Sequence, residues 1–207
     1  MTIGSLAPAD LATTEGVLAR AFRDNPLNQA VIRSDDPARR LHSNLHGMRS
    51  LLPVALSHGH VLAARAGGRL AGVLISAPPG VYPLPPPSLG SRLRCLVGQG
   101  WRVASRWGRV FDVLRSHHPQ QPSWYLGTLG VEPELQGCGV GSALVSAWLE
   151  EVDRDHGPAY LETDVEDNVR FYARAGFDVE GEVSVQGVPI WRMWRQRREI
   201  STGSLPQ

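Results

Sequence analysis

The feature that most constrains the fold is a glycine-rich loop between a predicted strand and a predicted helix. Residues 124–131 are mostly apolar, as in a strand, and an apolar stripe at helical spacing follows the loop at Leu144, Val145, Trp148 and Val152. A helix that begins behind a loop leaves backbone N–H groups unpaired, and its dipole favours negative charge. Glycine lets the backbone approach an anion closely. The loop therefore predicts a site for a phosphate-bearing cofactor; it comprises Gln136, Gly137, Cys138, Gly139, Val140, Gly141 and Ser142.

The residues around the loop indicate which kind of phosphate-bearing cofactor it would bind. A nucleotide-binding P-loop ends in lysine, and all 21 basic residues of this chain are arginine. A dinucleotide loop has an acidic residue about 20 positions further on, and Glu162 and Asp164 lie near that distance. Residues 132–136 nevertheless separate the strand from the first glycine, and there is one clear strand–loop–helix–strand unit. A dinucleotide-dependent oxidoreductase is thus a secondary hypothesis, and a loop that binds nothing is the structural alternative.

The other patterns predict one mixed α/β domain over residues 1–195 and a disordered tail over residues 196–207. Strands are expected at 3–6, 61–66, 70–76, 124–131, 160–163, 177–185 and 188–194. Helices are expected around Leu11 to Phe22, at 37–57, behind the glycine loop with Leu144 to Val152 on one face, and at 168–175.

A helical insertion is predicted over about residues 88–116. It is one amphipathic helix, or two that are broken at residues 98–100. Arginines alternate there with apolar residues, which predicts a solvated basic face over a core stripe. A cover over an acceptor pocket and a patch for an acidic partner are the functional alternatives.

Composition narrows the function classes. A net charge of +1 predicts no overall attraction to nucleic acid or to an anionic membrane. The two cysteines lack metal-type spacing and fit a reducing compartment. The N-terminus shows no signal-peptide pattern, and no apolar run is long enough to cross a bilayer. We therefore expect a soluble cytoplasmic protein without metal, nucleic-acid or membrane partners.

Two blocks resemble one known family. The first, Leu129-Gly130-Val131-x-Pro133-x-x-Gln136-Gly137-x-Gly139-x-Gly141-x-x-Leu144, resembles the acetyl-CoA signature of the GNAT superfamily of N-acetyltransferases. The second, Leu161-Glu162-Thr163 followed by Asn168-x-x-Phe171-Tyr172-x-x-x-Gly176-Phe177, resembles its second conserved block. Within the superfamily, Ala21-Phe22-x-Asp24-x-Pro26 and His118-Pro119 look most like puromycin N-acetyltransferase and its relatives. The acceptor half of the chain matches that group less well.

The resemblance implies a GNAT-like fold, with a mixed, mostly antiparallel and splayed sheet flanked by helices. It implies acetyl transfer from acetyl-CoA to an amine, with a small-molecule or antibiotic amine favoured. The cofactor-binding residues would be Leu129, Gly130 and Val131 on the strand, the loop from Gln136 to Ser142, and Asn168, Phe171 and Tyr172 downstream. A catalytically silent acyl-CoA-binding sensor is the alternative function.

Tyr172 and Glu162 are the predicted catalytic residues. A phenol with a pKa of about 10 can protonate a leaving thiolate. Glu162 lies at the end of a predicted strand and is the first choice of base. Water and His118 remain alternatives, although a histidine before Pro119 is more often an exposed turn residue. His42 and His46 have metal-type spacing without a third ligand, so we expect a helix-surface pair. Cys138 is interpreted as a small loop residue and not a nucleophile.

Overall fold

The computed structural model describes residues 1–197; most of the predicted tail, residues 198–207, lies outside the described residues. Seven strands form one sheet in the order β1-β2-β3-β4-β5-β7-β6. Neighbouring strands are antiparallel except for β4 and β5, which are parallel. The mixed α/β architecture with a mostly antiparallel, open sheet is confirmed. The strands are β1 Thr2–Ser5, β2 His60–Ala66, β3 Arg69–Ala77, β4 Trp124–Val131, β5 Ala159–Thr163, β6 Asp178–Val185 and β7 Val188–Arg195.

Seven α-helices flank the described sheet. Local signals set several of their ends: the Asp36 side chain accepts a hydrogen bond of 2.9 Å from the N–H of Ala38, with Pro37 in the first helical position. Sequence patterns missed the short α2, which Pro26 begins. The helices are α1 Leu11–Ala21, α2 Pro26–Ile32, α3 Pro37–His58, α4 Leu89–Gln99, α5 Trp101–His117, α6 Val140–Arg154 and α7 Glu166–Ala173.

The insertion is two helices that break at Gly100, where φ is 83°. The predicted core stripe exists only on α5, where Val103 and Val110 are buried. It is wrong for α4, which has no buried residue; Leu89 and Leu93 face solvent. Periodicity locates the apolar side of a helix but cannot show that this side meets the protein.

The helices form a layer on each face of the sheet. Helices α6 and α7 cover one face with a core that includes Trp148 and Phe177. Helices α1 and α3 cover the other face beside β2 and β3, and α2 and α5 extend that layer over β7. Within residues 1–197 no helix is both long and apolar enough to span a membrane.

Candidate functional site

A gap opens in the sheet between the two parallel strands. β4 and β5 pair over three residues only, the last pair being Leu126 and Leu161. β3 residues Ile75 and Ser76 face Thr128 and Leu126, so Gly127 is an extra, bulged residue. The bulge lies immediately after the last β4–β5 pair. From there β4 follows β3 alone, and its other edge is open.

The open edge of β4 presents backbone groups to the gap. The N–H of Glu132, just after the strand, bonds the carbonyl of Ala71 on the β3 side. Because backbone direction alternates along a strand, Gly130 also faces β3, whereas Leu129 and Val131 face the gap. The side chain of Gln136 donates to the Val131 carbonyl at 3.3 Å, which agrees with that direction. Of the three predicted strand residues, Leu129 and Val131 are therefore the ones that offer donors.

The predicted glycine loop lies at the start of α6 with a set of free donors. The first helical bond runs from the N–H of Ala143 to the carbonyl of Gly139, and the N–H groups of Gln136 and Cys138 bond carbonyls before the loop. Five N–H groups of this loop make no hydrogen bond to any residue in 1–197. They belong to Gly137, Gly139, Val140, Gly141 and Ser142. Together with the helix dipole they make a set of donors that suits an anion.

Two of the loop glycines adopt backbone conformations that favour glycine. Gly137 has a φ of 76° and Gly139 a φ of 82°, and a Cβ on either would meet no atom within 4 Å. The outer side of the loop is thus open. Gly141 differs because a Cβ there would lie 3.7 Å from the ring of Phe171. The loop and α7 therefore lie side by side.

Helix α7 brings the downstream residues to the α6 face of the gap. Asn168 donates to the Thr163 hydroxyl at 3.3 Å, at the end of β5. Phe171 packs against Tyr172 with ring centroids 4.9 Å apart. Tyr172 is buried, and burial raises the pKa of its phenol, so it stays protonated at neutral pH. Among the described residues its hydroxyl has no hydrogen-bond partner.

Glu162 lies on the opposite face of the sheet. Side chains alternate along β5, so Leu161 joins the α6 core while Tyr160 and Glu162 face the other way. The Tyr125 hydroxyl donates to Glu162 Oε2 at 2.7 Å. Oε1 is buried and has no direct partner among residues 1–197. Burial raises the pKa of Glu162 to about 7, against the lowering effects of the neighbouring Tyr125 and Tyr160 hydroxyls and of the Arg192 guanidinium.

Aromatic rings enclose the carboxylate. The imidazole of His118 lies 4.1 Å from the ring of Tyr82, 5.1 Å from that of Tyr125 and 5.0 Å from that of Tyr160. The expectation of an exposed turn histidine is therefore wrong: the chain after α5 folds His118 back against the sheet. Burial lowers the pKa of His118 to about 4. A neutral imidazole with so low a pKa is a weaker base than Glu162.

Four residues around Glu162 escaped the sequence predictions: Tyr82, Tyr125, Tyr160 and Arg192. Arg192 is the cross-strand partner of Glu162 on β7, and its Nη1 donates to the carbonyl of His117 at 3.2 Å. The two-residue spacing of Tyr160 and Glu162 was a usable signal, because both must share a strand face. Nothing local marks Tyr82, which comes from the proline-rich connector after β3.

A cavity of about 880 Å³ lies elsewhere, between α3 and α4. His42 and His46 line it as an edge-to-face ring pair with centroids 4.7 Å apart. In the part of the chain that the structure describes, no three histidine, cysteine or acidic residues group as metal ligands. The gap between β4 and β5, and not this cavity, joins the anion-binding loop, a protonated phenol and a carboxylate with a pKa of about 7.

Comparison with known proteins agrees with this geometry. The family of acetyltransferase (GNAT) domains matches residues 98–179, a segment that contains the glycine loop, β5 and α7. The chain is also similar in structure to a protein from Corynebacterium glutamicum described as histone acetyltransferase HPA2 and related acetyltransferase. That pair has a TM-score of 0.70 and 23% identity over 97% of this chain and 98% of the other.

Two further structures share the fold at lower identity. The ribosomal-protein-S18-alanine N-acetyltransferase from Escherichia coli gives a TM-score of 0.56 and 14% identity over 100% of this chain and 99% of its own. The PaiA N-acetyltransferase from Thermoplasma acidophilum, in complex with coenzyme A, gives a TM-score of 0.58 and 15% identity. The matched shares are 94% of this chain and 98% of that one.

Proposed function

We propose that the chain is an acetyltransferase of the GNAT superfamily and that it transfers the acetyl group of acetyl-CoA to the amine of a small molecule. The observation that carries the proposal is the gap between β4 and β5. An anion-binding loop and a buried phenol lie on one face of this gap, and a carboxylate with a pKa of about 7 lies on the other.

The residues at the gap fit the acetyl donor, which supplies a thioester-bound acetyl group when it is bound. The five free N–H groups of the loop suit its pyrophosphate. The outward N–H groups of Leu129 and Val131 suit the amide-rich pantetheine arm and the thioester oxygen, where negative charge develops. The carbonyl oxygen of Asn168 is also available to an amide, because its NH₂ group is held by Thr163. Phe171 closes the side of the loop.

Glu162 acts as the base in this proposal. An ammonium must lose a proton before its nitrogen can attack the thioester carbon. A carboxylate with a pKa of about 7 is partly ionised at neutral pH and is matched to proton transfer there. Its unpaired Oε1 is the oxygen left to accept that proton, directly or through water.

Tyr172 acts as the acid. As the new carbon–nitrogen bond forms, the carbon–sulfur bond breaks and its electron pair leaves with sulfur. The Tyr172 hydroxyl protonates that thiolate, and the surplus proton on the newly acylated nitrogen passes through water to the resulting phenolate, which restores the phenol. Burial keeps the phenol protonated until then, and no hydrogen bond to a described residue diverts it. The acid and the base lie on opposite faces of the sheet, so each can serve a different atom, sulfur for Tyr172 and nitrogen for Glu162.

The surroundings of Glu162 support a small cationic amine as acceptor. Tyr82, Tyr125, Tyr160 and His118 present rings around a carboxylate, and aromatic faces attract ammonium groups. Tyr82 packs on the rings of His118 and Tyr125 beside the buried carboxylate, which favours a small molecule, an antibiotic amine included, over a folded protein. We propose a cytoplasmic location because acetyl-CoA is available there.

Thermal unfolding tests the choice of donor. A ligand selective for the native state stabilises by about 2.7 kcal/mol at 100 times its Kd, which corresponds to about 5–10 °C for a domain of this size. We expect acetyl-CoA to raise the melting temperature by that amount, and NAD and ATP to leave it unchanged. Stabilisation by NAD alone would support an oxidoreductase and contradict the proposal.

Gly139→Val should raise the Kd for acetyl-CoA at least tenfold, because its side chain would stand where the loop donors meet the pyrophosphate. Gly100→Val is the matched control: both glycines precede a helix, with φ of 82° and 83°, and both have open space at Cβ. With a ψ of 149° at Gly100 and 0° at Gly139, the control imposes at least as much backbone strain, at a place outside the loop. Equal affinity in the two folded variants, measured by calorimetry, would remove the loop as the pyrophosphate site.

A further inference from the structure

Helix α4 turns its polar side to the protein. Ser91 lies 3.3 Å from the hydroxyl of Ser50, and Gln99 donates to the Ser43 carbonyl at 2.8 Å. Between them, Gly98 allows close contact with α3, since a Cβ there would lie 2.2 Å from the ring of His46. The contacts that hold α4 in place are therefore made by small and polar residues.

Its apolar side faces solvent. We call the exposed apolar residues of α4 and the first residue of α5 the insertion face. Isolated exposed apolar residues are common, but a contiguous row along one helix side indicates a binding surface. Exposed fractions are 80% at Leu89, 61% at Leu93, 40% at Leu96, 78% at Val97 and 67% at Trp101.

Positive charge surrounds the insertion face. Residues 89–117 contain six arginines and one aspartate, a net charge of +5, whereas the chain as a whole carries +1, so the remaining residues carry −4. Arg92 and Arg94 are exposed on α4, and the guanidinium of Arg102 lies 5.3 Å from the Trp101 ring centroid. The net charge of +1 had predicted no attraction to anionic membranes; the structure shows that this value conceals a strong separation of charge.

We propose that the insertion face binds the anionic surface of a phospholipid bilayer. A helix side with leucines and a tryptophan, flanked by arginines, is typical of a helix that lies in the membrane interface. The arginines can extend to lipid phosphates while their stems cover apolar surface. Helix α4 would lie along the bilayer and not cross it.

The same observations disfavour a second copy as the occupant. Two insertion faces would bring like charges together, and Asp112 is the one acidic residue of residues 89–117. A stable protein interface also takes roughly 20–30 residues from each partner, whereas the insertion face has five apolar side chains. Anionic lipid matches both the charge and the narrow apolar row.

Co-sedimentation with vesicles tests the proposal on the full chain. We expect binding to vesicles of equal parts phosphatidylglycerol and phosphatidylcholine, weakening as salt rises, and none to phosphatidylcholine alone. Leu93→Glu/Val97→Glu should reduce binding roughly tenfold or more, because two inserted apolar groups become charged. Arg92→Gln/Arg94→Gln should reduce it about 25-fold, since each arginine near the surface contributes about fivefold.

Val179→Glu is the matched control, because Val179 is an apolar residue 48% exposed on β6, outside the insertion; it should bind as the wild type does. All variants should keep the melting shift with acetyl-CoA, which separates this proposal from that of the catalytic function. Absence of vesicle binding, or binding unchanged in Leu93→Glu/Val97→Glu, would overturn the proposal. So would a wild-type dimer, seen by ultracentrifugation, that this variant converts to monomer.

Discussion

Tyr172→Phe should lower kcat by about 10²–10⁴-fold, the range that a positioned general acid contributes. The substitution removes only the hydroxyl, and the ring keeps its contacts with Phe171 and Phe177. The loss should fall on kcat and not on acetyl-CoA affinity, because the proton is delivered only in the transition state. Steady-state kinetics with an accepted amine, and calorimetry with acetyl-CoA, measure the two quantities separately.

Stability distinguishes this result from a packing defect. Since the Tyr172 hydroxyl makes no hydrogen bond to a described residue, its removal should leave the free energy of unfolding nearly unchanged. Turnover within a few fold of wild type would contradict the acid role and assign thiolate protonation to water. A parallel loss of stability and cofactor affinity would indicate a structural role instead.

Glu162→Gln should lower kcat/KM by a similar factor, about 10²–10⁴-fold at pH 8. The active base is the carboxylate, so wild-type kcat/KM should fall as the pH drops through about 7, by about tenfold for each unit below it. The glutamine variant lacks the carboxylate that titrates there, so its residual kcat/KM should not fall as the pH drops through about 7. A wild-type profile that is flat between pH 6 and 8 would contradict Glu162 as base.

Tyr125→Phe tests the same role of Glu162 by shifting its pKa without removing the carboxylate. The Tyr125 hydrogen bond stabilises the ionised Glu162 and lowers its pKa. Without this bond the fall of kcat/KM at acid pH should begin at a higher pH. At pH values well above that fall, kcat/KM should be largely kept. Glu182→Gln, at an exposed carboxylate on β6, is the matched control and should leave the profile unchanged.

The sequence predicted those parts of the site that follow local rules. Two of its signals concern neighbours along the chain, namely the glycines before a helix and the spacing from Asn168 to Gly176. The third, the absence of lysine, is read directly from the composition. The mixed sheet and the strand Trp124–Val131 were accordingly predicted correctly. Of the two forms left open for the insertion, the structure has the two-helix one. Acetyl-CoA as donor followed from the same residues through their resemblance to the GNAT superfamily, and the family of acetyltransferase (GNAT) domains matches residues 98–179, where those residues lie.

The acceptor side could not be predicted because it is built from distant segments. Tyr82 follows β3, His118 follows α5 and Arg192 lies on β7, and only the folded sheet brings them to Glu162. The burial that raises the pKa of Glu162 is likewise a tertiary property. The apolar stripe of α4 was predicted to lie in the core. Which side of α4 meets the protein depends on its packing against α3, so the exposure of that stripe was predicted wrongly.

The most direct test of the central claim is release of free CoA thiol from acetyl-CoA across a panel of small primary amines, with each product checked by mass. We predict thiol release that depends on the amine, one acetyl group added to its nitrogen, and loss of both in Tyr172→Phe and Glu162→Gln. Stabilisation by acetyl-CoA without thiol release for any amine would contradict the enzyme and support a silent acyl-CoA sensor.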